Sequence, residues 1–173
     1  MKHSPKSKSA PAAAKSRVPT NAIALLKADH KQVSEWFKEF AATDIAAQKK
    51  TLAGRICEAL HIHTTIEEEL FYPAFMGATA DKPLHHEAII EHDGAKKLIA
   101  AVEESGPHDD YFDAKVKVLS EMIKHHVKEE EQPGGMFAEA RKSTMDLKTL
   151  GSDMLARKNA LLSAPNRRYS QAA

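Results

Sequence analysis

The stretch HIHTTIEEELFYP, residues 61–73, decides what the rest of the chain is organised around. We predict a helix there, because one set of positions recurs at steps of three and four residues. The set is Ile56, Leu60, His63, Glu67, Leu70 and Ala74. His63 and Glu67 therefore lie one turn apart on the stripe that should be buried. Burying a charge without a partner costs several kcal/mol, so a metal ion is the leading candidate for the group that compensates them.

Composition limits the fold class and the partners. The chain has 173 residues, enough for one domain with its own core, and a formal net charge of +1, which argues against nucleic acid as a partner. A single cysteine, Cys57, excludes a cysteine-rich metal site and is expected to be a small buried apolar residue. No apolar run is long enough to span a membrane and no export signal is seen, so we expect a soluble, cytoplasmic protein with no membrane partner.

Residues 1–19 differ in composition from the rest of the chain. They contain five basic residues, no acidic residue and many Ser, Ala and Pro, so they cannot bury enough apolar surface to become ordered. We predict a disordered basic tail. An arm that touches nucleic acid or another anionic surface is the alternative, and the absence of aromatic residues disfavours it.

Four amphipathic helices are predicted between residues 20 and 140. The first begins at Thr20 or Asn21, either of which can cap it. The second runs from about residue 44 to residue 72, where Pro73 ends or kinks it, and residues 77–83 form a loop. The third covers about residues 84–104, and the fourth starts after Asp110 and ends before the Gln-Pro-Gly-Gly break at 132–135. Short loops between helices favour an all-α, up-down four-helix bundle.

A fifth helical stretch is predicted from Met136 to about Leu162. It carries no histidine on its apolar stripe, so we expect it to cover the bundle or to pack across its open end. Dimerisation, or contact with another protein, is the alternative role. We divide the chain into a bundle at 20–140, a C-terminal helix at 141–163 and a loose terminus at 164–173.

Histidines occupy an apolar position in each of the four bundle helices. His30 precedes His63 by 33 residues, and His92 precedes His126 by 34. The motif His-x-x-x-Glu occurs twice, at His63 with Glu67 and at His126 with Glu130. A pairing of His125 with Glu129 also fits that spacing, but the apolar stripe of Leu119 and Ile123 selects His126 and Glu130. The chain thus consists of two similar helical hairpins.

These six residues predict a metal site in the bundle core. One buried histidine is more often a hydrogen-bonded core residue, and a purely structural bundle is the alternative for the whole set, but six converging polar residues favour metal. Without thiolate, the ligands suit iron, manganese or zinc, and six are too many for one tetrahedral zinc ion. We predict two octahedral iron ions, with Glu67 and Glu130 bridging them together with an oxo or hydroxo group. Two positions then stay open for water, dioxygen, peroxide or nitric oxide.

Several motifs together resemble the hemerythrin HHE cation-binding domain. They are Asp29-His30, HTTIEEELFYP, Glu91-His92 and HHVKEEE, and the resemblance covers about residues 21–140. It implies a four-helix bundle with a non-haem di-iron site. The ligands that it implies are the residues His30, His63, Glu67, His92, His126 and Glu130.

The chain departs from the oxygen-carrying members of that family at one position. They have a further histidine one turn before the residue that matches His92, where this chain has Ala88. The departure leaves one metal with a ligand fewer, or with a substitute such as Glu91, His85 or a water molecule. The departure disfavours reversible oxygen storage and favours sensing, handling of peroxide or nitric oxide, or iron binding.

Two classes of function follow from these residues. The first is a protein that binds or senses a small ligand, and the second is an enzyme that consumes peroxide or nitric oxide. An enzyme would need a proton donor in the site, and Tyr72 or Glu68 is the only candidate, so we favour binding. Glu68, Glu69 and His61 are expected beside the site or on the surface rather than among the ligands.

Overall fold

The computed structural model describes residues 19–164. Within this range the chain is helical and forms no strand. The elements are α1 (Ala22–Ala42), α2 (Ala46–Ile66), a π-helical turn (Glu67–Phe71), α3 (Tyr72–Ala78), α4 (Lys82–Glu103), α5 (Phe112–Glu131), α6 (Met136–Lys142) and α7 (Leu147–Ser163). The basic tail predicted at 1–19 and the loose terminus predicted at 164–173 lie almost entirely outside the described residues, so both stay predictions.

The all-α prediction is confirmed, and the bundle is built from two hairpins. Helix α1 packs against α2, and α4 packs against α5. Asn21 caps α1 as expected, because its side chain accepts a hydrogen bond from the Ala24 backbone N–H at 2.9 Å. Since consecutive helices are joined by short loops, the stripes that carry the histidines face one another in the interior.

Two apolar clusters lie above and below the layer of histidines. One is centred on Val33, Ile56, Ile99 and Leu119, which are 0–3% exposed. The other cluster includes Leu26, Ile66, Phe71, Phe75 and Phe137. Each fully buried large apolar side chain contributes about 1.5–3 kcal/mol relative to exposure. The polar layer is therefore closed off by apolar packing at both ends.

The second helix does not end at Pro73. After Ile66 the backbone forms a π-helical turn and then continues as α3 to Ala78, with Pro73 in the first turn of α3. Proline is tolerated there because its missing N–H would have no partner within the new helix in any case. The prediction that the helix ends or kinks at Pro73 thus located the irregularity a few residues too late.

The prediction of one helix from Met136 to Leu162 was wrong. The chain leaves the helical path at Ser143, and α7 begins after Asp146, whose carboxylate accepts hydrogen bonds from the backbone N–H groups of Lys148 and Thr149. Helix α7 packs along α1 and α2, as expected for a helix that covers the bundle. At the contact, a side chain at Gly151 would lie 2.4 Å from the Ala22 nitrogen. A role of α7 in dimerisation stays a prediction.

Over the described part of the chain, none of the helices is both long enough and apolar enough to cross a lipid bilayer.

Candidate metal centre

All six residues predicted as metal ligands are buried at the centre of the bundle. Their exposed fractions lie between 0 and 7%. They are His30 on α1, His63 on α2, Glu67 at the start of the π-helical turn, His92 on α4, and His126 and Glu130 on α5. The helical periodicity that predicted a buried stripe therefore placed these side chains correctly.

The four imidazoles form two pairs, one from each hairpin. The Nε2 atoms of His30 and His63 are 3.2 Å apart, and those of His92 and His126 are 3.3 Å apart. Two ring nitrogens at this distance cannot both present a lone pair to the other unless a cation or a proton lies between them. Each pair therefore suits a shared positive charge.

Glu67 and Glu130 connect the two pairs. Glu67 Oε2 lies 3.2 Å from His63 Nε2 and 3.3 Å from His92 Nε2. Glu130 reaches His30 Nε2 with Oε2 at 3.4 Å and His126 Nε2 with Oε1 at 3.6 Å. Each carboxylate thus approaches one imidazole from each hairpin, which is the arrangement that two neighbouring metal ions with shared ligands would require.

Buried oxygen atoms without a hydrogen bond provide a direct test of whether a metal fits. Among residues 19–164, Glu67 Oε1 and both carboxylate oxygens of Glu130 are buried and have no hydrogen-bond partner. Buried polar atoms are nearly always hydrogen-bonded, so such atoms need an explanation. Imidazole and carboxylate ligands suit iron, manganese and zinc, and two overlapping groups could each hold an ion: His30 with His63 and Glu67, and Glu67 with His92 and His126. The residues therefore fit a metal centre.

A carboxylate lies beside the outward-facing nitrogen of each imidazole. The Nδ1 distances are 2.9 Å from His30 to Glu131, 3.6 Å from His63 to Asp29, 2.9 Å from His92 to Glu68 and 2.7 Å from His126 to Glu91. A carboxylate that accepts a hydrogen bond from Nδ1–H holds the proton on that nitrogen and leaves Nε2 free to bind a metal. Glu131, Glu68 and Glu91 therefore aim the Nε2 lone pairs of their partner imidazoles inward. Asp29 lies too far from His63 Nδ1 for a hydrogen bond and acts on it only through its charge.

These four outer carboxylates follow a rule in the sequence that our prediction did not use. Each of them is the immediate neighbour of one predicted ligand but contacts a different one across the helix interface. Asp29 precedes His30 and faces His63, and Glu68 follows Glu67 and faces His92. The acidic residues next to the ligands were the available signal, but their partners on other helices could be identified only in three dimensions.

The charges of the central layer depend strongly on one another. Burial by itself would lower the pKa of His63, but the carboxylates of Glu67 and Asp29 outweigh it and raise that pKa to about 10. Although burial acts in the opposite direction, His63 and His92 hold the pKa of Glu67 well below its usual range. Burial and the nearby Glu67 raise the pKa of Glu130 to about 8. The metal-free centre thus holds protons where a metal ion would supply positive charge.

A tyrosine also lies in this layer. Tyr72 is 1% exposed, and its hydroxyl is 3.1 Å from His92 Nε2 and 3.4 Å from Glu67 Oε2. From the sequence, Tyr72 was expected at most to be a proton donor. Two of the proposed substitutes for the histidine missing at Ala88 have other partners. Glu91 pairs with His126 Nδ1, and the His85 ring makes a T-shaped contact with the Tyr72 ring, with centroids 5.6 Å apart.

The remaining candidates from the sequence lie away from the centre. His61 pairs with Glu103 at 2.9 Å, and Glu69 makes two hydrogen bonds with Arg157 at the surface. Cys57 is buried, and burial raises the pKa of its thiol to about 12, which makes it a poor nucleophile and a poor ligand. These positions agree with the minor roles that we expected for them.

Two cavities approach the centre. A groove of about 330 Å³ between α4 and α5 is lined by Ala95, Met122 and Ile123 and reaches His92 and His126. A smaller space of about 10 Å³ lies among the four histidines beside Ile123 and Val127. The smaller space has room for about one water molecule, so only a very small ligand fits inside the layer as it stands.

Comparison with known proteins assigns the family. The profile of the family described as Hemerythrin HHE cation binding domain matches residues 21–133. A crystal structure of a hemerythrin HHE cation binding domain-containing protein from Mycobacterium kansasii has the same fold, with a TM-score of 0.67 and 22% identity over 82% of this chain and 86% of that one. A DNA nickase from Nostoc sp. is 26% identical over 120 residues, which are 68% of this chain and 32% of that protein. The chain therefore spans about a third of that relative, and it belongs to the hemerythrin HHE cation-binding domain family.

Proposed function

We propose that this protein holds two iron ions in the bundle core and that it binds or senses a small ligand there, namely dioxygen, nitric oxide or peroxide. The proposed ligands are His30, His63, Glu67, His92, His126 and Glu130. The observation that carries the proposal is that two buried carboxylates each approach one imidazole from both hairpins while three of their oxygens have no hydrogen-bond partner among residues 19–164.

The surrounding residues support redox chemistry at a site that excludes bulk water. The apolar clusters close the layer at both ends, and the outer carboxylates hold the imidazoles in one orientation. When bound, iron would supply open coordination positions and a change of oxidation state. A carboxylate that hydrogen-bonds to an imidazole also makes that ligand more basic, which stabilises the more highly charged metal.

The groove between α4 and α5 supports access by small molecules to one side of the centre. Val118, Met122 and Ile123 line it together with Glu91, Glu121 and His125, and it reaches His92 and His126. Dioxygen, nitric oxide and hydrogen peroxide are small enough for such a path. The proposal includes a protein partner that responds to the state of the metal centre. We assign no surface of this chain to that partner.

The groove also favours a second candidate function, an enzyme that consumes peroxide or nitric oxide, because turnover requires repeated exchange with solvent. The nicking activity in the name of the Nostoc relative is not extended to this chain, which covers about a third of that protein. Manganese or zinc in place of iron, and a role in iron storage, are the remaining alternatives.

The test is iron counting on the purified full chain, together with absorption spectra of the reduced protein on exposure to air, peroxide and nitric oxide. We expect two iron ions per chain and a spectral change that saturates at a fixed ratio of ligand to protein. Consumption of peroxide or nitric oxide far beyond that ratio would select the enzyme. A protein that takes up no iron from an iron(II) solution without oxygen would overturn the proposal.

A further inference from the structure

We propose that Glu87 and Glu91 on α4 and His125 on α5 form a third metal site, which takes a divalent transition-metal ion such as zinc or iron(II) at the surface of the bundle. One ligand atom from each of these side chains lies within 4.8 Å of the other two. Glu91 and His125 also line the groove between α4 and α5. The site lies outside the central layer, so it goes beyond the proposed function and does not require a metal ion in the core.

Each outer carboxylate has a further partner, and this partner is of a different kind at Glu91. At the other three it is a lysine: Lys27 at Glu131, Lys96 at Glu68 and Lys158 at Asp29. At Glu91 it is His125, whose Nε2 lies 3.1 Å from Glu91 Oε1. A charged lysine has no lone pair for a metal, whereas a neutral imidazole is among the commonest metal ligands. His125 can therefore share a cation with Glu91 instead of supplying one.

Glu87 adds a second carboxylate to the same face of α4. Glu87 and Glu91 are four residues apart, about one helical turn, so their side chains are neighbours. Two carboxylates thus bring two negative charges to one imidazole, and a bound cation would neutralise them. Glu87 is exposed and the His125 side chain is 59% exposed, so an ion can reach the three side chains from solvent.

The ligand set indicates the class of ion. One imidazole and two carboxylates suit zinc, iron(II) or manganese, whereas calcium and magnesium take mainly oxygen ligands. Adjacent ligand atoms in a tetrahedral site with bonds of about 2.1 Å are about 3.4 Å apart, close to the 3.1 Å between His125 Nε2 and Glu91 Oε1. Three protein ligands leave the fourth position to water, which is typical of an ion that can exchange rather than of a closed structural site.

Glu91 links this site to the central layer. Its Oε2 accepts a hydrogen bond from His126 Nδ1 at 2.7 Å, while its Oε1 faces His125. A cation bound to Oε1 would withdraw negative charge from the carboxylate and weaken the hydrogen bond that makes His126 a more basic ligand. Occupation of the third site should therefore shift the absorption spectrum of iron in the core. This second effect rests on the proposed function, since it requires that iron.

The experiment uses the full chain loaded with iron, desalted, and then dialysed against zinc, with iron and zinc counted separately. We expect the wild-type protein to hold one more zinc ion per chain than Glu87→Gln or His125→Lys, with the same iron content in all three. His125→Lys gives Glu91 the kind of partner that the other outer carboxylates have. Glu121→Gln is the matched control, because it removes a carboxylate that lines the same groove but pairs with Lys117, and it should keep the zinc ion.

A crystal soaked in zinc locates the ion directly. We expect anomalous density between Glu87, Glu91 and His125. Density only at other residues, or equal zinc content in the wild-type protein and both variants, would overturn the site.

The outcomes separate this inference from the proposed function. Zinc at these three residues in a chain that takes up no iron would support the third site and overturn the proposed function. Zinc at the third site without a shift in the iron spectrum would overturn only the link through Glu91. Two iron ions in the core without zinc at the third site would overturn the inference and leave the proposed function standing.

Discussion

The two hairpins present the same inner residues to the centre but have different surroundings. The half with His30 and His63 is covered by α7, where Lys158 pairs with the outer carboxylate Asp29. The half with His92 and His126 borders the groove between α4 and α5, and its outer carboxylate Glu91 pairs with the exposed His125 instead. The repeat in sequence therefore produces two similar sets of ligands, and the fold gives them different neighbours. One half borders α7 and a cavity of about 220 Å³ beside Asp29, and the other borders the groove between α4 and α5.

This difference indicates a division of roles between the two halves. The groove between α4 and α5 borders His92 and His126, and the Tyr72 hydroxyl lies 3.1 Å from His92 Nε2 in the same half. The covered half has the longer outer contact, 3.6 Å between His63 and Asp29 against 2.7 Å between His126 and Glu91. We therefore expect exchange and chemistry on the groove side. Substitutions can test that contrast, beginning with the carboxylate that both halves share.

The largest effect is expected from Glu67→Ala. Because Glu67 approaches both pairs of imidazoles, its loss should remove metal from both halves, and it should leave the positive charge of His63 buried with a weaker partner. Breaking a buried ion pair costs about 3–5 kcal/mol, so the free energy of unfolding of the metal-free chain should fall by about that amount. Metal analysis and urea unfolding measure the two effects.

Glu69→Ala is the matched control, since it removes a surface carboxylate from the same acidic run. It should keep both metal ions and nearly the wild-type stability. Full metal content in Glu67→Ala would show that the shared carboxylate has been assigned to the wrong residue.

The next effect concerns the outer carboxylates. Removing such a partner typically lowers metal affinity by about 10–100-fold. We expect Glu91→Gln to fall in this range for the metal on the groove side. Asp29→Asn should have a smaller effect, because its contact with His63 is longer and is shared with Lys158. Competitive titration with a chelator measures both, and equal losses would remove the proposed contrast between the halves.

The pH dependence of stability should change sign when metal binds. Without metal, the pKa values of Glu130 and His63 are raised to about 8 and about 10. The folded chain then holds more protons than the unfolded chain between pH 6.5, the ordinary pKa of histidine, and about pH 8. The stability of the metal-free protein should therefore fall as pH rises through this window.

With metal bound, the same groups must be deprotonated, so stability should rise over that window. Urea unfolding at several pH values, with and without metal, provides the measurement. Parallel slopes in the two forms would contradict a metal bound through these groups.

The smallest effect is expected where α7 meets the bundle. Arg157 and Glu69 form a surface ion pair, and such pairs contribute little to stability because water screens the charges. Arg157→Ala should change the free energy of unfolding only slightly and should leave the metal content unchanged. A loss of metal in this variant would mean that α7 is held against α1 and α2 much less firmly than its packing indicates.

Much of the fold could be predicted because it depends on local patterns. The recurrence of apolar residues at steps of three and four identified four helices and selected His126 rather than His125 as the buried histidine. In the structure His126 is 4% exposed, and His125 lies at the surface. The cap at Asn21 and the break at residues 132–135 could also be predicted, because each depends on neighbouring residues in the sequence. The single helix predicted from Met136 to Leu162 failed because the turn before Asp146 contains no proline or glycine to mark it.

The sequence by itself determined which side chains would be buried together, because periodicity assigns each residue to a face of its own helix. The tertiary structure decided which of them meet. The outer carboxylates each contact a histidine on another helix, and no spacing along the chain encodes that pairing. The π-helical turn that brings Tyr72 beside Glu67 was also invisible, since a regular helical pattern places these residues on different faces. Contacts across helices depend on how the hairpins pack, and packing is a property of the whole fold.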